Sequence, residues 1–127
     1  MLFRKQEVVK VYKVVFRGEH GELRSILAYG DAEVVYTPNK WVEAPRWLAK
    51  EGYYLTAFKT IEDALDFVDG VSLRFEIWEA EAQGIIKKLP NPCDIDSLAD
   101  RKLVPLKLEW PRGTIMCQRL RLIRRVK

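Results

Sequence analysis

The fold of this chain is decided by residues 8–17, Val8-Val9-Lys10-Val11-Tyr12-Lys13-Val14-Val15-Phe16-Arg17. β-Branched and aromatic residues dominate this stretch, and these residue types favour an extended strand. Apolar side chains occupy both of its alternate faces: Val9, Val11 and Val15 on one, and Tyr12, Val14 and Phe16 on the other. A strand that is apolar on both faces is typical of the middle of a sheet that is covered on both sides. We therefore expect residues 8–17 to form a central strand.

Turn signals separate this strand from several others. Gly18 and Gly21 bracket a predicted hairpin turn, and residues 22–29 have the composition of a return strand. The remaining predicted strands are residues 33–37, 53–58, 72–83, 106–110 and 114–126, and residues 85–105 form a long connection with three prolines. Short turns join most of the strands, which favours antiparallel pairing. The sequence thus predicts a single, mainly antiparallel sheet of about six to eight strands.

Residues 60–69 predict the principal helix. Thr60 is a suitable N-cap, because its hydroxyl can accept a hydrogen bond from a free backbone N–H of the first turn. Asp63 follows at the capping-box spacing, and Gly70 can adopt the left-handed conformation that ends many helices. The apolar stripe of this helix comprises Ile61, Ala64, Leu65 and Val68. We expect the stripe to pack on one face of the sheet, which gives an α+β fold in a single domain over residues 1–127.

The composition is that of a folded protein with a high density of charge. Hydrophobic residues make up 48% of the 127 residues and charged residues 31%, so the chain lacks the low hydrophobicity of disordered proteins. The amide side chains are few: Gln6, Asn39, Gln83, Asn91 and Gln118. Many charged residues with few amides is a thermophile-like bias. In size and composition the chain resembles small proteins of hyperthermophilic archaea and their viruses, and this resemblance implies an accessory role through protein contacts.

The sequence also disfavours several locations and cofactors. It has no apolar run of about 18 residues and no apolar stretch typical of a signal peptide near residue 1, so we expect a cytoplasmic protein (in the host cytoplasm if viral) without a membrane partner. Cys93 and Cys117 are the only cysteines, and we expect free thiols, with a bridge between them as the alternative. His20 is the single histidine and no phosphate-binding glycine loop occurs, so we expect no metal site and no cofactor.

Positive charge is concentrated in residues 112–127, which contain six basic side chains and no acidic one, while the whole chain has a net charge of +4. Such a segment can bind the phosphates of a nucleic acid. The candidate contacts are Arg119, Arg121, Arg124 and Arg125. Leu120 and Leu122 alternate with the first two of these arginines, however, and that alternation is typical of a half-buried strand whose arginines face solvent. Nucleic-acid binding is therefore the alternative function.

Two carboxylates, Glu79 and Glu81, lie on one face of a predicted strand, about 7 Å apart. The order of an early strand ending in Arg17, the segment 57–67 and a strand with the pattern Glu-x-Glu resembles ADP-ribosyltransferase-type folds. In that family an arginine of an early strand holds the dinucleotide NAD, and two acids position the nicotinamide ribose and the attacking group. The resemblance implies Arg17, Glu79 and Glu81 as catalytic candidates of a degenerate NAD-binding relative, since the family's Ser-Thr-Ser element is absent. Alternatively, both acids pair with cross-strand lysines or arginines on a solvated strand face.

Trp41 and Trp47 flank Pro45 within residues 40–52, a stretch that has no regular periodicity. Exposed aromatic side chains on a loop are typical of a partner-binding surface. The same side chains can instead cover the sheet, each indole N–H bonded to a loop carbonyl. We interpret the protein as a non-enzymatic protein-interaction or accessory module, with Trp41 and Trp47 as its partner-binding residues. A homodimer is one form that such an interaction can take.

Overall fold

The computed structural model describes residues 7–25, 33–71, 74–93 and 108–127. These parts contain seven strands in one sheet and two helices. The strands are β1 (Val9–Arg17), β2 (Leu23–Ser25), β3 (Val35–Tyr36), β4 (Val42–Glu43), β5 (Leu55–Phe58), β6 (Glu76–Ile85) and β7 (Thr114–Arg125), and the helices are α1 (Arg46–Lys50) and α2 (Ile61–Val68). Every described strand pair is antiparallel, so the predicted mainly antiparallel sheet is confirmed.

Strand β1 occupies the central position that its two apolar faces predict. It pairs with β6 from Val9 to Val15, with β2 near its C-terminal end, and with β5 through Tyr12 and Phe58. Strand β7 pairs in turn with β4, β5 and β6. Because β5 and β6 each pair with both β1 and β7, these four strands close into a ring. Strands β2 and β3 extend the sheet from β1, and β4 extends it from β7.

One apolar cluster lies inside this ring and a second lies on its outer surface. The inner cluster consists of Val11, Val15, Leu23, Val34, Tyr36, Leu55, Ala57, Trp78, Ala80, Ala82, Ile115, Cys117, Leu120 and Leu122. The second cluster joins α2 to the outside of the ring and contains Val14, Phe58, Ala64, Val68 and Ile77. Along β1, Val11 and Val15 therefore face inward and Val14 faces α2, as the alternation of side chains in a strand requires. The predicted covering of both faces of residues 8–17 is confirmed.

Helix α2 begins and ends where its capping residues predict. The Thr60 hydroxyl accepts a hydrogen bond from the backbone N–H of Asp63 at 3.1 Å, and Gly70 has a φ of +79°, a conformation readily open only to glycine. Ala64 is buried, whereas Leu65 is 37% exposed. The buried face is narrower than the predicted stripe, because adjacent residues of a helix point about 100° apart and Ala64 holds the central position.

Helix α1 and strand β4 lie in residues 40–52, where the sequence predicts no regular element. Pro45 precedes α1, and its fixed φ suits the start of a helix. Leu48 is the buried residue of α1, so one apolar contact anchors this short helix. The described residues therefore contain two helices, and the single helix expected from the sequence corresponds to α2, the longer one.

The predicted strand boundaries shift by several residues. Strand β6 continues past residue 83 through Gly84, whose φ is +70°. Residues 108–110, the described part of a predicted strand, are not in a strand. Parts of other predicted segments lie outside the described residues: 26–29, 72–73, 94–105 and 106–107.

Candidate functional site

The side chains of β6 and β7 that point away from the ring interior are mostly charged. Ala80, Ala82, Leu120 and Leu122 are buried in the inner cluster, so the residues that alternate with them face outward. We call this surface the outer charged face, which comprises Lys10, Trp41, Glu43, Glu79, Glu81, Gln83, Arg119, Arg121 and Arg124. The alternation predicted for the arginines and leucines of β7 is confirmed.

Glu79 and Glu81 form cross-strand ion pairs on this face. The strand register places Glu79 opposite Arg124 and Glu81 opposite Arg121. Glu79 Oε1 lies 3.3 Å from Arg124 Nη2 and 3.6 Å from Lys10 Nζ. Glu81 Oε1 accepts a hydrogen bond from Arg121 Nε at 3.1 Å. Bases on the neighbouring strands therefore neutralise both acids, and the cross-strand pairing expected of a solvated strand face is confirmed.

Trp41 is in contact with two arginines of the outer charged face. The Cζ atoms of Arg119 and Arg121 are each 4.7 Å from the centre of a Trp41 ring, within the range of a cation–π interaction. Arg119 also donates a hydrogen bond to Gln83 Oε1 at 3.1 Å, and its Nε lies 3.8 Å from Glu43 Oε1. The half-buried indole therefore contacts both guanidinium groups, and cross-strand partners orient the guanidinium group of Arg119.

The remaining predicted binding residues, Trp47 and Arg125, have different surroundings. Trp47 is half-buried in α1. Arg125 ends β7, where its Nε donates to the Lys127 carbonyl at 3.0 Å and its Nη1 lies 3.7 Å from Glu76 Oε2. Of the four predicted phosphate-binding arginines, each one therefore has at least one carboxylate within ion-pair distance.

Arg17 forms a two-point ion pair with Glu76, a residue with no predicted role. Arg17 Nε lies 2.8 Å from Glu76 Oε2, and Nη2 lies 3.0 Å from Oε1. The Trp78 indole N–H donates to the same carboxylate at 3.0 Å. The hydrogen-bonded Arg17 guanidinium is the main reason that the pKa of the Glu76 carboxyl is below its ordinary value, although burial acts in the opposite direction. Glu76 is therefore a buried carboxylate that is held in its ionised form.

The three residues implied by the ADP-ribosyltransferase resemblance lie on two faces of the sheet. Glu79 and Glu81 face outward. Glu76, the ion-pair partner of Arg17, has the same alternation along β6 as the inward-facing Trp78. The contacts of Arg17 within the described residues go to Glu76 and to the Gly21 carbonyl. The structure thus brings Glu79 and Glu81 together on one face but does not bring Arg17 to them.

A group of polar side chains lies inside the ring. We call it the buried polar cluster; it consists of Lys13, Ser25, Tyr36 and Cys117, together with the Thr56 carbonyl. Lys13 is only 7% exposed, its Nζ donates a hydrogen bond to the Thr56 carbonyl at 2.7 Å, and the same atom lies 5.6 Å from the centre of the Tyr36 ring. Five different strands (β1, β2, β3, β5 and β7) each contribute one member of the cluster, so the cluster exists only when these strands are paired in the sheet.

Burial shifts the titration of this cluster toward uncharged forms. It lowers the pKa of Lys13 to about 8 and raises the pKa of Cys117 to about 12. Burial also raises the pKa of Tyr36, with a smaller opposing effect of the Ser25 side chain. The Tyr36 hydroxyl makes no hydrogen bond of normal geometry within the described residues. Lys13 and Cys117 each favour the charged form of the other, but burial is the larger effect for both.

The sequence prediction missed Lys13 as a site residue, although the pattern contains a signal. Lys13 occupies the same alternate face of β1 as Val11 and Val15, where an apolar residue is expected. A single lysine at an apolar position of a central strand indicates a buried amine. The same reasoning applies to Glu76, which alternates with the buried Trp78.

Cys93 and Cys117 are free thiols in this structure, and Cys117 is buried. Among the described residues, no three His, Cys, Asp or Glu side chains approach closely enough to hold a metal ion. Nor does any helix in these parts of the chain have the length and apolar character to cross a membrane. No protein-family model matches the chain, and no curated protein or solved structure is significantly similar to it.

Proposed function

We propose that this protein is a non-enzymatic protein-binding module that uses the outer charged face, centred on Trp41, as its contact surface. The observation that supports this most directly is the contact of the Trp41 indole with both Arg119 and Arg121, whose Cζ atoms are each 4.7 Å from the centre of a Trp41 ring. Tryptophan and arginine are over-represented among the residues that dominate protein–protein binding energies. Side chains that are already fixed in the free protein lose less conformational entropy on binding.

The charge pattern of this face favours a protein over a polyanion. Its ionic residues are the acids Glu43, Glu79 and Glu81 and the bases Lys10, Arg119, Arg121 and Arg124. Acids that alternate with bases repel the phosphates of a nucleic acid, whereas a protein surface can supply both signs of charge at matching positions. A partner protein, or a second copy of this chain, is therefore the preferred binding partner.

Nucleic-acid binding is the second candidate, and the exposure of two arginines supports it. The side chains of Arg124 and Arg125 are 65% and 55% exposed, so each has room for a phosphate beside its carboxylate. Such binding would displace existing ion pairs and would weaken steeply with salt. The NAD-binding alternative has less support, because Arg17, the residue that would hold the dinucleotide, is paired with the inward-facing Glu76, whereas Glu79 and Glu81 face outward.

We further propose an accessory role in the cytoplasm of a thermophilic cell or of a host infected by its virus. The high charge content and the few amides support this origin, and so do the connected ion pairs of the outer charged face. The desolvation penalty of ion pairs falls as temperature rises, so networks of this kind contribute more at high temperature.

Binding partners can be compared between the wild type and two variants of the face, Trp41→Ala and Arg121→Glu. The matched control is Arg112→Ala, which removes an exposed arginine paired with Asp63 and Asp66 near α2. Each purified protein is immobilised, exposed to an extract of source cells, and the captured proteins are quantified by mass spectrometry. A captured protein is then purified, and its Kd for each variant is measured by calorimetry.

We expect a partner whose Kd is unchanged by Arg112→Ala and weakened at least about tenfold by Trp41→Ala, the loss expected of a central contact residue. Light scattering on the same samples reports a homodimer, which the face variants should dissociate. Identical capture by all four proteins would exclude the outer charged face as the contact surface. A monomer that captures nothing would contradict the binding function as a whole.

A further inference from the structure

Lys13 is a buried amine without a counter-charge in the described parts of the chain. It points into the ring between Val11 and Val15 of its own strand. Within those parts its only hydrogen bond goes to the Thr56 carbonyl, and no carboxylate forms an ion pair with it. The nearest acid along the inward face of β6, Glu76, is already paired with Arg17. The contact surface proposed above makes no use of this side chain.

The environment of Lys13 favours its neutral, nucleophilic form. A buried ammonium group is unfavourable unless it is paired, so burial lowers the pKa of Lys13 to about 8. At pH 7 a much larger fraction of Lys13 than of an ordinary lysine is then the free amine. Only the free amine has the lone pair that attacks an electrophile, and desolvated lysines are used in this way as covalent nucleophiles.

Besides the Thr56 carbonyl, the buried polar cluster around Lys13 contains uncharged groups that carry a donor hydrogen. Tyr36 is buried, and its hydroxyl has no hydrogen-bond partner of normal geometry in the described residues. Burial keeps both this phenol and the Cys117 thiol protonated near neutral pH. Ser25 contributes a hydroxyl to the same cluster. An amine that shares a cluster with neutral donors offers the two groups that addition to a carbonyl group requires: a nucleophile for the carbon and a donor for the oxygen.

We infer that Lys13 is a reactive amine that forms a reversible imine with a small aldehyde. The Nζ lone pair attacks the carbonyl carbon, a C–N bond forms, and the C=O π electrons move to the oxygen, which takes up a proton. The resulting carbinolamine then loses its oxygen as water while a C=N bond forms. One amine and one aldehyde thus yield one imine and one water, with no oxidant or reductant. Because Lys13 is only 7% exposed, the aldehyde must be small.

The competing explanation of Lys13 is structural. The inner cluster contains three small residues, Ala57, Ala80 and Ala82, and the aliphatic part of a lysine can fill the space beside them. In that case the amine would be protected from reagents in the folded protein. Its reactivity relative to that of surface lysines distinguishes the two explanations.

The test uses the full chain at pH 7 with glycolaldehyde as the probe and cyanoborohydride as the trapping reductant. Peptide mapping by mass spectrometry then gives the labelling rate of each lysine in one sample. We expect Lys13 to be labelled at least about tenfold faster than Lys59, an exposed lysine next to α2, with a rate that rises with pH around a midpoint near 8. Labelling of Lys13 that is no faster than that of Lys59, or that occurs only in denaturant, would overturn the inference.

Two variants test whether the fast labelling depends on the Tyr36 hydroxyl and on the Lys13 amine. Tyr36→Phe removes the buried phenol hydroxyl and should lower the trapping rate at Lys13 several-fold, while the pH midpoint of labelling stays near 8. An unchanged rate in a folded Tyr36→Phe protein would remove the hydroxyl from the mechanism and leave the amine alone. Lys13→Met should abolish the fast labelling, and Lys59→Met should not. If Lys13→Met fails to fold, the comparison of lysines within the wild-type chain still decides the outcome.

Discussion

Arg17 and Glu76 form a two-point ion pair between β1 and β6, with Nε–Oε2 and Nη2–Oε1 distances of 2.8 and 3.0 Å. The carboxylate is buried and accepts a further hydrogen bond from the Trp78 indole. A buried carboxylate is stable only when such partners replace its lost hydration. The pair therefore joins the end of β1 to the start of β6 and fixes Glu76 in its ionised form.

Replacing Glu76 by Gln should destabilise the protein by about 2 kcal/mol at pH 7, because hydrogen bonds to a charged acceptor are lost. The pKa of Glu76 is lower in the folded than in the unfolded state. The stabilisation is therefore fully present above the ordinary carboxyl pKa and is lost as the pH falls through the folded-state value. Urea unfolding between pH 7 and 3 checks this. The difference in free energy of unfolding between wild type and Glu76→Gln should shrink on acidification, and a difference that does not change with pH would contradict the assignment.

Lys13→Met should increase the free energy of unfolding at pH 7 by up to about 3 kcal/mol, since the variant no longer buries an ionisable amine. The pKa of Lys13 falls from 10.5 to about 8 on folding. Between these two pH values the unfolded chain binds more protons, so the wild type gains stability as pH rises and the advantage of the variant shrinks.

The titration of Cys117 changes the free energy of unfolding in the opposite direction at higher pH. Its pKa rises from 9.0 to about 12 on folding, so the folded chain keeps a proton that the unfolded chain loses. Stability from this group therefore falls between these pH values. For this reason the measurement is the difference between wild type and Lys13→Met from pH 7 to 10.5, in which the contribution of Cys117 largely cancels. A constant difference over this range would show that Lys13 titrates normally.

The acids of the outer charged face should mask its arginines from polyanions. Glu79→Gln combined with Glu81→Gln releases Arg121 and Arg124 from their ion pairs. We expect this double variant to elute from heparin at distinctly higher salt than the wild type, because more phosphate or sulfate contacts become available. Glu51→Gln combined with Glu62→Gln gives the same change in net charge elsewhere on the surface. Equal shifts for the two double variants would mean that total charge, and not local masking, controls the retention.

The N-cap of α2 should be a measurable source of stability. Thr60→Ala removes the hydroxyl that accepts the Asp63 N–H at 3.1 Å, and the expected loss is about 1 kcal/mol. For a protein of this size the melting temperature should fall by about 5 °C. Thr60→Ser keeps the hydroxyl and should recover most of the loss in thermal unfolding followed by circular dichroism. A Thr60→Ser variant as unstable as Thr60→Ala would assign the effect to the lost methyl group.

Local sequence patterns were sufficient to predict the strands and helices that neighbouring residues specify. The double apolar alternation of residues 8–17 predicted a central strand, and Thr60 with Gly70 predicted the ends of α2. The alternation of arginine and leucine in β7 predicted which side chains face outward. Helix α1 was not predicted, because five residues with one buried side chain give too short a pattern to recognise.

The sequence by itself determined the class of the sheet and the facing of its side chains, because backbone geometry imposes a period of two on every strand. Only the tertiary structure decided which strands are neighbours, and with them the pairs Arg17–Glu76, Glu81–Arg121 and Trp41–Arg119. It also decided that Lys13, Tyr36 and Cys117 meet inside one ring. These residues are far apart in the chain. Their proximity follows from the pairing of β3 with β2, of β2 and β5 with β1, and of β5 with β7, which no local pattern encodes.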